Sequence, residues 1–273
     1  MEMTVSAANR GKRLARTKWV GYLGRIGLAA QGTCFLVVAI LALALAAGEG
    51  GKATDPRGAL VVLASRGWTK VLLVLLMLGF ASYGAWRFAQ AIFDRGGKGS
   101  DAGGLGRRLV QLGQGLIYFA LTVVAAKALT GTRVKAGEQR HATAGVLGWP
   151  GGRELVGLAG FAIIVSGLVS AYSALSERFK DSLATEEMSP GAERSTTVLG
   201  KIGLSSLAVV LGIIGSFLLK AAVEFDSKDA LSLGGALSKL ANASYGSWLL
   251  AVCAAGLLAY GFFGLAQARY HRV

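Results

Sequence analysis

Residues 24–47 read GRIGLAAQGTCFLVVAILALALAA, a run in which a single cation, Arg25, precedes a long and predominantly apolar stretch. At a rise of ~1.5 Å per residue, about 20 such residues cross the ~30 Å hydrocarbon core of a bilayer. A chain in lipid must satisfy its own backbone hydrogen bonds, and a run of this length without period-two alternation does so as a helix. The stretch therefore predicts a transmembrane helix over Ile26–Ala47.

Five further stretches have the same character, and none of the six spans contains proline. They are Val71–Ile92, Leu109–Leu129, Glu154–Leu175, Ile202–Ala222 and Trp248–Ala268. The whole chain is 53% hydrophobic and 16% charged, contains 40 glycines and has a mean hydropathy of +0.52. Soluble domains are only about 45–50% apolar with glycine included, and about 25% charged. This composition excludes a water-soluble globular domain and predicts an all-α membrane protein with six transmembrane helices.

The odd-numbered spans begin alike, and the even-numbered spans share a second motif. The shared openings are Gly24-Arg25-Ile26-Gly27, Arg107-Arg108-Leu109-Val110 and Gly200-Lys201-Ile202-Gly203. The even spans share Tyr83-Gly84, Ser166-Gly167 and Tyr260-Gly261, and the connections share Gly58-Ala59-Leu60, Gly235-Ala236-Leu237 and, more weakly, Gly145-Val146-Leu147. We interpret these as three parallel two-helix repeats, because two crossings per copy give every copy the same orientation. A pseudo-three-fold bundle is the simplest packing, and a linear row is the alternative.

The repeats divide the chain into a basic cytoplasmic tail (residues 1–22), repeat 1 (23–95), repeat 2 (106–178), an acidic linker (179–198) and repeat 3 (199–270). The acidic residues in and beside the linker are Glu177, Asp181, Glu186, Glu187 and Glu193, next to Pro190-Gly191. A solvated linker is the simplest interpretation, and docking of a basic partner is the alternative.

The repeated openings, the Gly-Ala-Leu connections and the Tyr-Gly…Gln-Ala second helices resemble the bacterial membrane family catalogued as domain of unknown function 1206. The resemblance covers about Leu23 to Tyr270. It implies an integral membrane protein of a bacterium with three two-helix repeats, and it supplies no catalytic residues. The middle copy departs most from the pattern, with Ser166 in place of Tyr and Ser173 in place of Gln. Mitochondrial solute carriers also have three two-helix repeats, but their signature places a proline in each odd helix, and none is present here.

The charge is strongly positive, with 29 Lys and Arg against 15 Asp and Glu, a formal net charge of +14. These basic residues lie between apolar stretches and do not alternate with aromatic ones, which indicates contact with anionic lipids and not with nucleic acid. Alternate segments, counted from the N-terminal tail, carry 17 of the basic residues. This bias predicts a multi-pass protein of the bacterial cytoplasmic (inner) membrane with both termini in the cytoplasm.

The interiors of the spans lack the side chains that most membrane chemistry requires. No Asp or His lies within any span, and Glu154 lies at an edge. Proton-coupled transport generally uses such an intramembrane group. There is also no HExxH or CxxC motif and no pair of intramembrane histidines to hold a haem. The sequence therefore predicts a protein that is not an enzyme and that has no cofactor or metal.

Two sets of side chains are candidate binding groups. Six basic residues at span ends are candidates for contact with lipid head groups, although anchoring by snorkelling is the simpler interpretation: Arg25, Arg108, Lys201, Arg87, Lys127 and Lys220. Four glutamines are candidates either to line the bundle or to form interhelical hydrogen bonds, the latter being the commoner role: Gln31, Gln114, Gln90 and Gln267.

The absence of catalytic motifs and the abundance of glycine-rich helix faces favour an accessory or scaffold subunit of a larger membrane assembly. Two alternatives remain open. One is a passive channel or transporter that carries a small solute through the six-helix bundle. The other is a lipid-binding membrane protein, which the basic residues at the span ends favour.

Overall fold

The computed structural model describes residues 18–47, 60, 70–93, 102–130, 144–224, 236–237 and 246–271. Most of these residues belong to six long helices. They are α1 (Lys18–Ala46), α2 (Lys70–Phe93), α3 (Ala102–Leu129), α4 (Gly152–Leu175), α5 (Pro190–Glu224) and α6 (Gly246–Tyr270), with short 3₁₀ helices at Arg178–Ser182 and Thr185–Glu187. The sequence predicts a basic tail over residues 1–22. Residues 1–17 of this tail lie outside the described residues, and residues 18–22 belong to the beginning of α1.

All six helices are long and apolar enough to cross a membrane. Each contains one of the predicted spans, and most helices continue past the apolar stretch at one or both ends because the helical backbone does not stop where the hydrocarbon does. The prediction of an all-α, multi-pass membrane protein is confirmed.

The helices follow one another around a ring that is open at one place. Helix α1 packs against α2, α2 against α3, α4 against α5 and α5 against α6, and α6 packs back against α1. Within the described ranges, no comparable packing joins α3 to α4, which are the two helices of repeat 2. The bundle is therefore an interrupted six-helix ring, and the interruption falls in the repeat whose sequence departs most from the common pattern.

The three interfaces between successive repeats are equivalent, as three-fold pseudosymmetry requires. In each, the second helix of one repeat crosses the first helix of the next at two small residues. The crossing pairs are Gly84 with Gly115, Gly167 with Ala208, and Gly261 with Gly32. A Cβ on Gly32 would lie 2.6 Å from the Gly261 carbonyl oxygen, so the backbones approach too closely for a side chain. Lipid offers no hydrophobic drive between helices, and close backbone packing of this kind replaces it.

One buried leucine from each connection packs beside each of these interfaces. Leu60, Leu147 and Leu237 come from the three equivalent connections, and all are almost fully buried. Leu60 belongs to a cluster of α1, α2 and α3 residues, Leu147 to a cluster of α4 and α5 residues, and Leu237 to a cluster of α1, α5 and α6 residues. The connections thus follow the same pseudosymmetry as the helices.

Helix α5 begins at Pro190, inside the segment 179–198 that the sequence assigns to a linker. Ser189 caps its first turn: the Ser189 Oγ accepts a hydrogen bond from the Ala192 N–H at 3.3 Å, and the Ser189 carbonyl accepts one from the Glu193 N–H at 2.9 Å. A hydroxyl residue followed by proline at the first helical position is a favourable helix start. With 35 residues, α5 is about 50 Å long and extends beyond a bilayer core.

Candidate functional site

In repeats 1 and 3, the two helices of the repeat meet at a contact between a glycine of the first helix and a tyrosine of the second. A Cβ on Gly27 of α1 would lie 2.7 Å from the Cα of Tyr83 of α2. Likewise, a Cβ on Gly203 of α5 would lie 2.5 Å from the Cα of Tyr260 of α6. The missing side chain lets the tyrosine backbone come close, and both tyrosine rings then lie inside the ring of helices.

Repeat 2 has different residues at both of these positions. Val110 stands where the glycine is expected, and Ser166 stands where the tyrosine is expected. Val110 is 49% exposed because no helix packs over it. One turn later, a Cβ on Gly113 would have no neighbour within 4 Å, although its repeat 1 equivalent, Ala30, packs against Gly79. Repeat 2 therefore lacks both residues that form the helix contact in repeats 1 and 3.

We call the gap between α3 and α4 the lateral opening. Equivalence with the closed interfaces of repeats 1 and 3 assigns to its borders Val110, Gly113 and Ile117 of α3 and Ala162, Ser166 and Val169 of α4. Ile117 and Val169 are 59% and 60% exposed, whereas their repeat 1 equivalents, Cys34 and Trp86, are buried. The Ser166 hydroxyl donates to the Ala162 carbonyl of its own helix at 2.8 Å, so the surface of the opening is apolar.

Three tyrosines from three helices meet in the middle of the ring. The rings of Tyr83 (α2) and Tyr118 (α3) are in edge-to-face contact with centroids 4.5 Å apart, and Tyr260 (α6) lies near both of them, packed edge to face on Phe35 of α1. Because α6 is not a ring neighbour of α2 or α3, these side chains meet across the interior. We call them the tyrosine centre. Ser166 replaces the tyrosine at the equivalent position of α4, on the side of the lateral opening.

Arg87 places a positive charge beside the tyrosine centre. Its guanidinium donates to the Tyr83 hydroxyl and, at 3.3 Å, to the Gln90 Oε1. It also stacks on two rings, with its Cζ 4.9 Å from the centroids of both Tyr83 and Trp86. Tyr83 lies one helical turn before Arg87 and is therefore further from the end of α2. This hydrogen bond holds the Arg87 guanidinium away from that end and toward the interior of the ring.

The four candidate glutamines fall into two pairs. The Gln31 Nε2 donates to the Tyr260 hydroxyl at 3.1 Å and thereby joins α1 to α6, and Gln90 accepts from Arg87 within α2. Gln114 and Gln267 are half-buried, and within the described part of the chain they have no hydrogen-bond partner. The structure therefore brings Gln31 to the tyrosine centre and Gln90 to its arginine.

The equivalent cations that precede the spans of the odd helices have different surroundings. Arg25 donates to the His271 carbonyl at 2.9 Å, which places a cation at the C-terminal end of α6, where the helix dipole favours it. The Lys201 Nζ lies 2.6 Å from a carboxylate oxygen of Glu177, and the Arg108 side chain is half-buried. Arg25 and Lys201 thus tie α1 and α5, at the starts of their predicted spans, to neighbouring segments of the chain.

Lys127 and Lys220 lie at the opposite end of the ring, near the ends of α3 and α5. Both are exposed, and Lys220 lies 3.5 Å from Glu224 one turn later. Exposed cations at the ends of apolar helices are well placed to contact lipid head groups.

An ion cluster holds the segment between α4 and α5. Glu177 has a left-handed backbone with φ 55°, and its carboxylate lies 2.7 Å from Lys180 and 2.6 Å from Lys201. Hydrogen bonds from Lys180 and then Lys201 lower the pKa of Glu177 from 4.5 to about 2, and the bond from Glu177 raises the pKa of Lys180. Phe179 of this segment packs edge to face on Phe263 of α6, with centroids 5.2 Å apart.

The candidate residues chosen from the sequence did not include Val110, Trp86 or Tyr118. For Val110 the signal was present, because the aligned openings show glycine in two copies and valine in the third. Tyr118 gave no such signal, because its equivalents, Phe35 and Leu211, are ordinary apolar residues. Its position in the interior depends on how the helices pack.

Six apolar helices in three repeats, arranged as an interrupted ring, define a multi-pass helical membrane protein. The model of the family described as Domain of Unknown Function (DUF1206) matches the chain three times, over residues 26–94, 110–177 and 202–271, and the chain belongs to this family. The chain is also 30% identical over 255 residues to an uncharacterized protein, YxxB, of Bacillus subtilis (strain 168), with 93% of this chain and 92% of the relative covered. No solved structure matches. The three matches confirm the three predicted repeats.

Proposed function

We propose that this protein binds a membrane lipid, without catalysis, and that the lipid enters from the bilayer through the lateral opening. The observation that carries the proposal is the missing α3–α4 interface beside a charged and hydroxyl-bearing interior. Repeats 1 and 3 show that the same positions form a closed interface when they hold glycine and tyrosine. The opening is therefore a local feature of repeat 2 and not a general property of the fold.

A lipid has the chemistry of both parts of this site. Acyl chains contact exposed aliphatic side chains such as those of Val110, Ile117 and Val169 without the loss of any hydrogen bond. Polar and charged groups at membrane depth are costly and usually functional, and Tyr83 and Arg87 present such groups inside the ring. A lipid that lies in the opening with its polar end toward the tyrosine centre satisfies both surfaces.

The double variant Val110→Gly/Ser166→Tyr tests this function, because it gives repeat 2 the residues with which repeats 1 and 3 close. We expect it to close the opening and to lower, severalfold, the lipid retained by the purified protein in native mass spectrometry. The matched control is Val123→Gly/Ser216→Tyr, which makes the same exchanges at exposed positions of α3 and α5. Equal lipid retention by both variants and the wild type would contradict lipid binding at the opening.

An accessory or scaffold role is the second candidate, and Gly113 favours it. A small exposed residue on a helix face is a common site for another transmembrane helix, and the equivalent Ala30 takes a helix in repeat 1. In this case the opening accepts a helix of a partner protein. The same closing variant then loses a stoichiometric partner, purified in mild detergent, and keeps its bound lipid, which is the opposite of the result expected from lipid binding.

A further inference from the structure

Among the residues that the structure describes, Arg87 lies between aromatic and amide groups and has no anionic partner. Its hydrogen bonds go to the neutral Tyr83 hydroxyl and Gln90 amide, and its flat faces meet the rings of Tyr83 and Trp86. Neither Arg87 nor Arg25 forms an ion pair within the part of the chain that the structure describes. Arginine stays charged under all ordinary conditions, so both guanidinium groups carry a positive charge that no carboxylate of the described residues pairs.

Trp86 joins these two arginines into one cluster. It stacks with Arg87 on one helix, and its ring lies against α1 beside Arg25, where a Cβ on Gly24 would be 2.8 Å from the Trp86 Cε2. Its ring also meets that of His271, with centroids 5.5 Å apart, and the His271 carbonyl accepts from Arg25. The two guanidinium groups and the indole therefore belong to one contiguous set of contacts.

The cluster also has unused hydrogen-bond donors. Trp86 is only 4% exposed, and its indole N–H has no acceptor among the described residues. The Nε–H groups of Arg25 and Arg87 are also buried and without an acceptor there. Buried donors are nearly always paired in folded proteins, and an unpaired one carries a desolvation penalty. Within the described residues, three unpaired donors and two arginines without an ion pair lie in one cluster, which indicates an acceptor that is anionic.

Building on the lipid-binding function proposed above, we infer that Arg87, Trp86 and Arg25 bind the phosphate group of the ligand. Guanidinium groups suit phosphate because their parallel N–H donors match its oxygens. Arg87 lies about 9 Å from the end of α2, within reach of the head group of a lipid lodged among the helices. Arg87 also stacks on Tyr83, whose ring contacts that of Tyr118 of α3, one of the two helices that border the opening. A phospholipid and a free phosphate ion share this chemistry, and the test below separates them.

The test uses the full chain in detergent and compares three probes by native mass spectrometry. These are dioleoyl phosphatidic acid, dioleoylglycerol, which has the same chains but no phosphate, and inorganic phosphate. We expect the wild type to retain phosphatidic acid about tenfold more strongly than dioleoylglycerol, because only the phosphate accepts charge-assisted hydrogen bonds from the guanidinium groups. The variant Arg87→Gln, which keeps a hydrogen-bonding group but removes the charge, should lose this preference. Arg269→Gln, which removes an exposed charge from the end of α6, should keep it.

Each outcome decides a separate point. Equal retention of phosphatidic acid and dioleoylglycerol by the wild type overturns the phosphate site but leaves lipid binding in place. Binding of inorganic phosphate that depends on Arg87, without retention of either lipid, supports the phosphate site with a free ion as ligand and contradicts the lipid-binding function. If Arg87→Gln does not fold, Trp86→Phe removes one unpaired donor and keeps the ring. An unchanged preference for phosphatidic acid in a folded Arg87→Gln protein or in Trp86→Phe then contradicts the site.

Discussion

Gly32 and Gly113 lie on the first helices of repeats 1 and 2, and their surroundings differ. Gly32 faces the Gly261 carbonyl across the α1–α6 interface, whereas a side chain on Gly113 would meet no atom within 4 Å. Both residues are helical glycines in an apolar span, so composition alone does not distinguish them. At the scale of the single residue, the two glycines differ in whether another helix packs against them.

The two glycines make a matched pair of variants. Gly32→Val should destabilise the protein by about 1–3 kcal/mol, the usual cost of forcing extra atoms into a packed interface, and Gly113→Val should leave stability nearly unchanged. The measurement is the apparent melting temperature of each purified variant in the same detergent. A loss of stability in Gly113→Val as large as that in Gly32→Val would show that α3 is covered at this position.

At the scale of the element, the segment between α4 and α5 is the best-anchored connection in the described part of the chain. Its two 3₁₀ helices, the ion cluster around Glu177 and the Phe179–Phe263 contact hold it against α5 and α6. The Ala184 N–H also donates to the Tyr270 carbonyl at 2.8 Å. These contacts support the end of repeat 3 at which its basic residues lie. At the equivalent end of repeat 1, the ring of Trp86 contacts that of His271.

Glu177→Gln should weaken this segment in a pH-dependent way. The pKa of Glu177 is lowered from 4.5 to about 2 in the folded protein, so its contribution to stability is complete above about pH 4.5. The contribution is lost as the pH falls toward 2. The variant should therefore melt below the wild type at pH 7, and the difference should shrink at pH 3. Glu187→Gln, at an exposed acidic residue of the same segment, is the control and should show no such dependence.

The spans and the repeats could be predicted from the sequence because each depends on local properties: length, hydropathy and a recurring pair of motifs. The start of α5 also depends on local residues, Ser189 and Pro190, but the acidic residues around them favoured the interpretation of this segment as a linker. The opening could not be predicted with the same directness. The aligned repeats show valine at position 110 and serine at position 166, yet a valine and a serine on their own do not reveal that two helices fail to pack. That follows only when the closed Gly27–Tyr83 contact of repeat 1 is seen.

At the scale of the whole molecule, three equivalent interfaces join the repeats, and two of the three interfaces within repeats are closed. The third, between α3 and α4, is where the pseudosymmetry fails. In the function proposed above, the open side of the ring gives the bilayer access to its interior. The arrangement places Arg87 and the tyrosine centre inside the ring and an apolar opening at its side, which are the two surfaces that the proposed lipid ligand requires.

Cysteine cross-linking in native membranes tests this account most directly, in a chain whose own two cysteines are replaced by alanine. One pair, Gly113→Cys/Ala162→Cys, spans the lateral opening, and the equivalent pair in repeat 3, Ser206→Cys/Gly256→Cys, spans a closed interface. A disulfide needs Cα atoms within ~7 Å. We predict rapid oxidative cross-linking of the repeat 3 pair and none of the repeat 2 pair. Equally rapid cross-linking of both pairs would show that the ring is closed and would contradict the lateral opening.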